Sequence, residues 1–143
     1  MPRIDDGGEG KGGEVTPYLV TATILGSLPS LKNQRRIVTN RRTGKPMSIK
    51  SAGAMEYADI FNAQLPNSAR INFRGPVSLR CRVWYPSRRN DLDIEYLKDL
   101  LQRFGVLHND RSVMHQEAWK GLDRDYPRIH FTIYEWEEPD EAA

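Results

Sequence analysis

The sequence predicts an α+β fold: two helices packed on one small mixed sheet, in the order strand, basic loop, helix, strand, helix, strand, strand. Three observations predict it. Val77 to Tyr85 alternates strictly, with Val77, Leu79, Cys81, Val83 and Tyr85 on one side and Ser78, Arg80, Arg82 and Trp84 on the other, which is the period of a strand. Leu97, Leu100, Leu101 and Phe104 recur at i, i+3, i+4 and i+7, the apolar face of a short helix. Runs rich in β-branched and aromatic residues, 18–25 (YLVTATIL) and 128–136 (RIHFTIYEW), lie towards the two ends and read as strands.

A chain of 143 residues suits one domain with a sizeable core and is too short for two ordinary ones. That domain is expected over residues 15–137. It is flanked by a flexible tail, 1–14, with five glycines and four acids, and by an acidic end, 138–143. No apolar run approaches the ~20 residues of a membrane span, and residues 1–13 lack the apolar stretch of a secretory signal. A single cysteine, Cys81, allows no internal disulfide, so a cytoplasmic protein is expected.

Taken in order, residues 18–25 have apolar side chains on both faces and suit a central strand, closed by Gly26 and Pro29. Residues 27–50 hold Lys32, Arg35, Arg36, Arg41, Arg42, Lys45 and Lys50 and no acid. Within them 39–47 reads as a polar hairpin tip turning near Thr43 and Gly44. Residues 51–65 form a helix capped by Ser51 and stopped by Pro66, with Ala54, Met55, Ala58, Ile60, Phe61 and Leu65 inward. The strand Val77–Tyr85 follows, ended by Pro86. A helix beginning near Asp91 and ended by Gly105 comes next. Residues 112–120 form a strand with Val113, His115, Glu117 and Trp119 on one side, and 122–127 a polar turn. The last strand points Ile129, Phe131 and Ile133 inward.

Charge divides along this order. Residues 27–90 carry 13 Lys and Arg against Glu56 and Asp59, whereas 91–143 carry 13 acids against six Lys and Arg. Such a division points the first part towards a polyanion, with cations that track phosphates without reading sequence. Cys81, on an apolar strand face without a partner His, reads as a buried thiol rather than a nucleophile. His115, Gln116 and Glu117 lack a second ligand pair and read as strand-face residues. Gly44-Lys45 is not a phosphate-binding loop, since the full glycine spacing is missing.

The densest chemistry is in residues 88–113, RRNDLDIEYLKDLLQRFGVLHNDRSV. Asp91 and Asp93 precede the helix and Asp110 follows it. If the chain returns tightly after Gly105, three carboxylates beside a basic surface suit a hard divalent cation. The same residues also serve as helix caps and turn formers.

This run resembles the RusA family of Holliday junction resolvases. The resemblance is carried by Arg88, Arg89, Asp91, Leu92, Asp93, Leu97, Lys98, Gly105, Val106, Asp110 and Val113. It implies a RusA-like fold and a Mg²⁺-dependent, homodimeric endonuclease, with Mn²⁺ as a substitute, that resolves four-way DNA junctions in recombination and repair. It further implies Asp91, Asp93 and Asp110 as metal ligands and Lys98 as a catalytic assistant; with DNA as the polyanion, the charge distribution makes Lys32, Arg35, Arg36, Arg41, Arg42, Lys45, Lys50, Arg88 and Arg89 the expected DNA contacts. A non-catalytic branched-DNA-binding protein and a related nuclease preferring flaps or replication forks remain alternatives. Two positions depart from the pattern: Ile94 stands where the family has Asn, and Lys98 follows Asp93 by five residues rather than four. On a regular helix those steps turn by ~140° and ~40° respectively.

Overall fold

The computed structural model describes residues 17–30, 35–39, 42, 46–50 and 52–139. The tail at 1–14, the Thr43-Gly44 turn, the Ser51 cap and the end of the acidic segment, 140–143, lie outside them.

The chain forms β1 (Val20–Leu25), β2 (Arg35–Thr39), β3 (Pro46–Lys50), α1 (Ala52–Gln64), β4 (Val77–Tyr85), α2 (Glu95–Arg103), β5 (Val113–Leu122) and β6 (Arg128–Glu135). β1, β6, β4 and β5 lie side by side in that order. β6 is antiparallel to both β1 and β4, and β5 is parallel to β4, so the sheet is mixed and the fold is α+β, as the periodicities predict. The parallel pair follows from α2, because strands that run the same way need a long crossover between them. Within the basic segment, β2 and β3 pair antiparallel, with Arg35 opposite Lys50.

Both helices pack on one face of the sheet. Phe61 of α1 stacks on Phe131 of β6 and Phe104 after α2, with ring centroids 6.2 and 6.1 Å apart. The Tyr96 hydroxyl of α2 donates to the Ala54 carbonyl of α1 at 2.6 Å. α1 turns a different stripe inward than the composition suggests: Tyr57 is buried with Ala54, Ala58 and Phe61, whereas Met55 and Ile60 are exposed. Inward positions are fixed by the 3.6-residue period, and Tyr57 lies one turn from Ala54 and Phe61 while Met55 and Ile60 flank that stripe.

On β5 the register slips between Val77 and Ser78, so that Val113 and His115 oppose them and Met114 is left over. The bulge turns Val113 onto the core, whereas alternation alone puts it on the face of His115, Glu117 and Trp119. On the opposite face of the sheet, Trp84 is covered rather than displayed. It is only 6% exposed, with the Arg128 guanidinium 3.9 Å from its ring and the Gly121 backbone against its edge. A Cβ at Gly121 would stand 2.6 Å from Trp84 Cδ1, so glycine is what lets the indole lie flat.

Candidate functional site

Pro86 cannot extend the β4 ladder, and residues 86–94 loop out from the carboxyl end of this interior strand. The Arg89 amide donates to Ser87 Oγ at 3.1 Å, and the Arg88 carbonyl accepts from Lys120 Nζ at 3.0 Å. Both arginines are exposed. The turn thus holds the backbone and leaves the guanidinium groups towards solvent.

Asp93 is built into the fold. Its Oδ1 accepts from the Glu95 amide at 3.0 Å and its Oδ2 from Ser30 Oγ at 2.7 Å. Its own amide donates to the buried Tyr85 hydroxyl at 3.3 Å, a phenol whose pKa is raised by burial. These bonds tie the segment after β1 to the start of α2. They also explain the helix boundary: α2 begins at Glu95 rather than near Asp91, because the Asp93 carboxylate satisfies an orphan amide of its first turn. Asp91 is exposed and lines a pocket of about 510 Å³ with Ser27, Leu28, Pro29, Ser30, Gly53, Tyr85, Ser87, Arg89 and Asn90.

Lys98 lies on the first turn and a half of α2. With Asp93 outside the regular helix, the ~140° step of the sequence argument does not apply. The ammonium is engaged elsewhere, 2.9 Å from Glu95 Oε2 and 2.9 Å from Gln116 Oε1. Asp110 opens a 3-10 turn, Asp110–Ser112, before β5. Its amide donates to Gln102 Oε1 in the last turn of α2 at 2.9 Å, while Asp93 caps the first turn. A nine-residue helix, about 13 Å long, separates these two attachments.

The aspartates therefore fall into two places. Asp91 and Asp93 share the loop after β4, and Asp110 lies across α2 from them. Among the described residues no group of three or more His, Cys, Asp or Glu could hold a metal ion. The three-carboxylate set is not assembled in this arrangement. Asp91 and Asp93 nonetheless supply the hard oxygens that Mg²⁺ takes when it is bound through one or two carboxylates and completed by water and substrate phosphates.

Of the expected DNA contacts, Arg88 and Arg89 border the site and Arg42 is exposed. Arg35 and Arg36 are in β2 and Lys50 in β3. Lys32, Arg41 and Lys45 lie outside the described residues. The remaining sequence candidates are structural. Cys81 is buried, and burial pushes its thiol up to about 12, too high for a thiolate at neutral pH. His115 shares a 2.7 Å hydrogen bond with Ser78 and lies 3.8 Å from Glu117.

Sequence reasoning missed the wall formed by Ser27–Ser30 and Gly53, and the place of Tyr85 beneath it. No local pattern carries this, because the pocket arises where segments some 60 residues apart meet through the Ser30 to Asp93 hydrogen bond. No helix among the described residues is long and apolar enough to cross a membrane. Compared with known proteins, the chain matches no family model and no curated relative.

Proposed function

We propose that this chain is a cytoplasmic, Mg²⁺-dependent, structure-selective DNA endonuclease of RusA type, acting as a homodimer on four-way junctions in recombination and repair. The observation that carries the reading is the meeting of Arg89 and Asp91 on one pocket wall, beside Asp93, at the carboxyl end of an interior strand. A hard cation held there supplies Lewis-acid polarisation of a phosphoryl oxygen and a more acidic water.

The chain's own groups do the rest. Asp91, exposed and free of the capping duty of Asp93, is the first carboxylate available to the cation. Asp93 is oriented by Ser30 and the Glu95 amide, and it keeps the loop that carries Asp91 in place. Arg88 and Arg89 clamp phosphates flanking the scissile bond through planar paired donors. The β2–β3 hairpin, whose register sets Arg35 against Lys50, gives the DNA arms a salt-sensitive seat. Twofold symmetry suits a junction with two equivalent scissile phosphates. Lys98 and Asp110, which the resemblance counts in the same centre, are tested alongside rather than assumed.

The deciding experiment is cleavage of a labelled four-way junction by the full chain in Mg²⁺, in Mn²⁺ and in EDTA, with Asp91→Asn beside it. Metal-dependent paired nicks that Asp91→Asn abolishes, with binding retained, support the reading. Binding without nicking in either metal supports the second reading, a non-catalytic branched-DNA-binding protein. That reading is favoured by the hydrogen bonds that employ Asp93 as a cap and by the place of Asp110 across α2. A panel of flaps and forks separates junction preference from its relatives.

A further inference from the structure

The pocket beside Asp91 is larger than phosphate clamping requires. Its volume of about 510 Å³ lies within the ~300–1,000 Å³ that small-molecule sites span, and at ~30 Å³ per water it has room for roughly 15 waters. Its chemistry is divided. Pro29 and Gly53 offer apolar and backbone surface above the buried Leu28 and Tyr85, whereas Ser27, Ser30, Ser87 and Asn90 offer neutral donors and acceptors. Arg89 is its cation, and Asp91 faces the same space.

Next to the pocket residue Ser27, Gly26 packs against the Tyr57 ring, and a Cβ there would stand 3.5 Å from Tyr57 Cε1. The Tyr57 hydroxyl is buried and has no hydrogen-bond partner. Its pKa is raised, first by burial and then by Tyr85 and Tyr96, so it stays a neutral donor. A buried polar atom of this kind normally has a partner, and Tyr57 follows Gly53, a pocket residue, by one turn of α1.

We infer that this pocket takes one unpaired deoxynucleotide: the base against Pro29 and Gly53, its polar edge to Ser27, Ser30 and Asn90, and its phosphate to Arg89. The inference rests on the proposed endonuclease reading for the source of the nucleotide, the branch point of a junction. Bases there are the cheapest to extrude, because part of their stacking is already lost. A nucleotide seated in this way sets the adjoining phosphate beside Asp91. The pocket then selects branched over continuous duplex DNA without reading sequence in a groove.

Two arms test it on the full chain. In the first, thymidine and deoxycytidine 5′-monophosphates are titrated to millimolar concentration and backbone amide shifts are followed. Shifts confined to 27–30, 53 and 85–91 support the pocket, and their absence overturns it whatever the fate of the nuclease reading. In the second, a four-way junction carries 2-aminopurine at the branch point or within an arm, bound in EDTA so that cleavage is not needed. The branch-point probe brightens several-fold and the arm probe does not. Ser27→Phe, which fills the cavity, abolishes the rise when read at protein concentrations that saturate the junction, so that any loss of affinity is not mistaken for loss of the pocket. Equal brightening in the variant overturns the assignment. If that variant does not fold, competition by free monophosphate against the branch-point signal replaces it, and failure to compete is equally decisive. Amide shifts without brightening overturn the branch-point source and leave a free mononucleotide as the ligand.

Discussion

Asp93→Ala, set against Asp91→Ala, separates the structural from the chemical use of the paired aspartates. Asp93 accepts from the Glu95 amide at 3.0 Å and from Ser30 Oγ at 2.7 Å. Loss of a helix cap costs ~1 kcal/mol. Loss of a charge-assisted hydrogen bond costs ~1.5–3 kcal/mol, towards the lower end here because Asp93 is only half-buried. Together Asp93→Ala should destabilise by about 2–3 kcal/mol. Asp91 is exposed and carries neither of these bonds, so Asp91→Ala should stay within ~0.5 kcal/mol of the parent. With a urea m-value of about 2 kcal/mol/M, the unfolding midpoint of Asp93→Ala falls by ~1 M while that of Asp91→Ala barely moves. Chemical denaturation followed by tryptophan fluorescence reads both. An unchanged Asp93→Ala midpoint would refute the reasoning: the Ser30 and Glu95 contacts would then hold nothing together, and Asp93 would be as available to a cation as Asp91.

Gly121→Ala places a Cβ 2.6 Å from Trp84 Cδ1, while Arg128 stacks 3.9 Å from the same indole. It should cost ~1–3 kcal/mol by overpacking, and a thermal midpoint within experimental error of the parent counts against the Gly121–Trp84–Arg128 stack. The Asp123 carboxyl is held below its usual range, first by the hydrogen bond from Arg128 and then by the Tyr126 amide. Its contribution to stability is therefore complete above the ordinary Asp value of ~3.9 and is lost as pH falls through the lowered folded value. Asp123→Asn should flatten the stability profile below about pH 4 and leave its slope near neutrality alone, as acid titration of the unfolding midpoint will reveal. Arg41→Ala with Arg42→Ala should flatten the slope of log junction affinity on log salt by up to about two units without moving the cut. A displaced cut at unchanged slope would mean that the hairpin reads DNA structure directly.

How far the sequence carried the fold, and where it stopped, follows from the range of the forces involved. Strict alternation located β4 and the inward Ile129, Phe131 and Ile133 of β6, because a sheet buried on one face imposes period two on every such strand. The same rule misplaced Val113, since one bulge residue reverses the parity of everything before it and nothing in 112–116 announces the bulge. Trp84 shows a related limit. Parity assigned it correctly to the face without helices, but its cover comes from Gly121 and Arg128, brought alongside only by sheet order. That Asp91, Asp93, Arg88 and Arg89 lie near one another was legible because they share one loop. The separation of Asp110 from that loop was not, because it depends on how α2 crosses. A helix connecting parallel neighbours begins beyond the carboxyl end of one strand and delivers the chain to the amino end of the next. Residues just before and just after such a helix are thereby driven to opposite ends of the sheet. Asp93 at the first turn of α2 and Asp110 at its last follow that rule. The topology thus leaves Asp91 and Asp93 together in the loop after β4, with Asp91 on the pocket wall, and places Asp110 in the turn that starts β5.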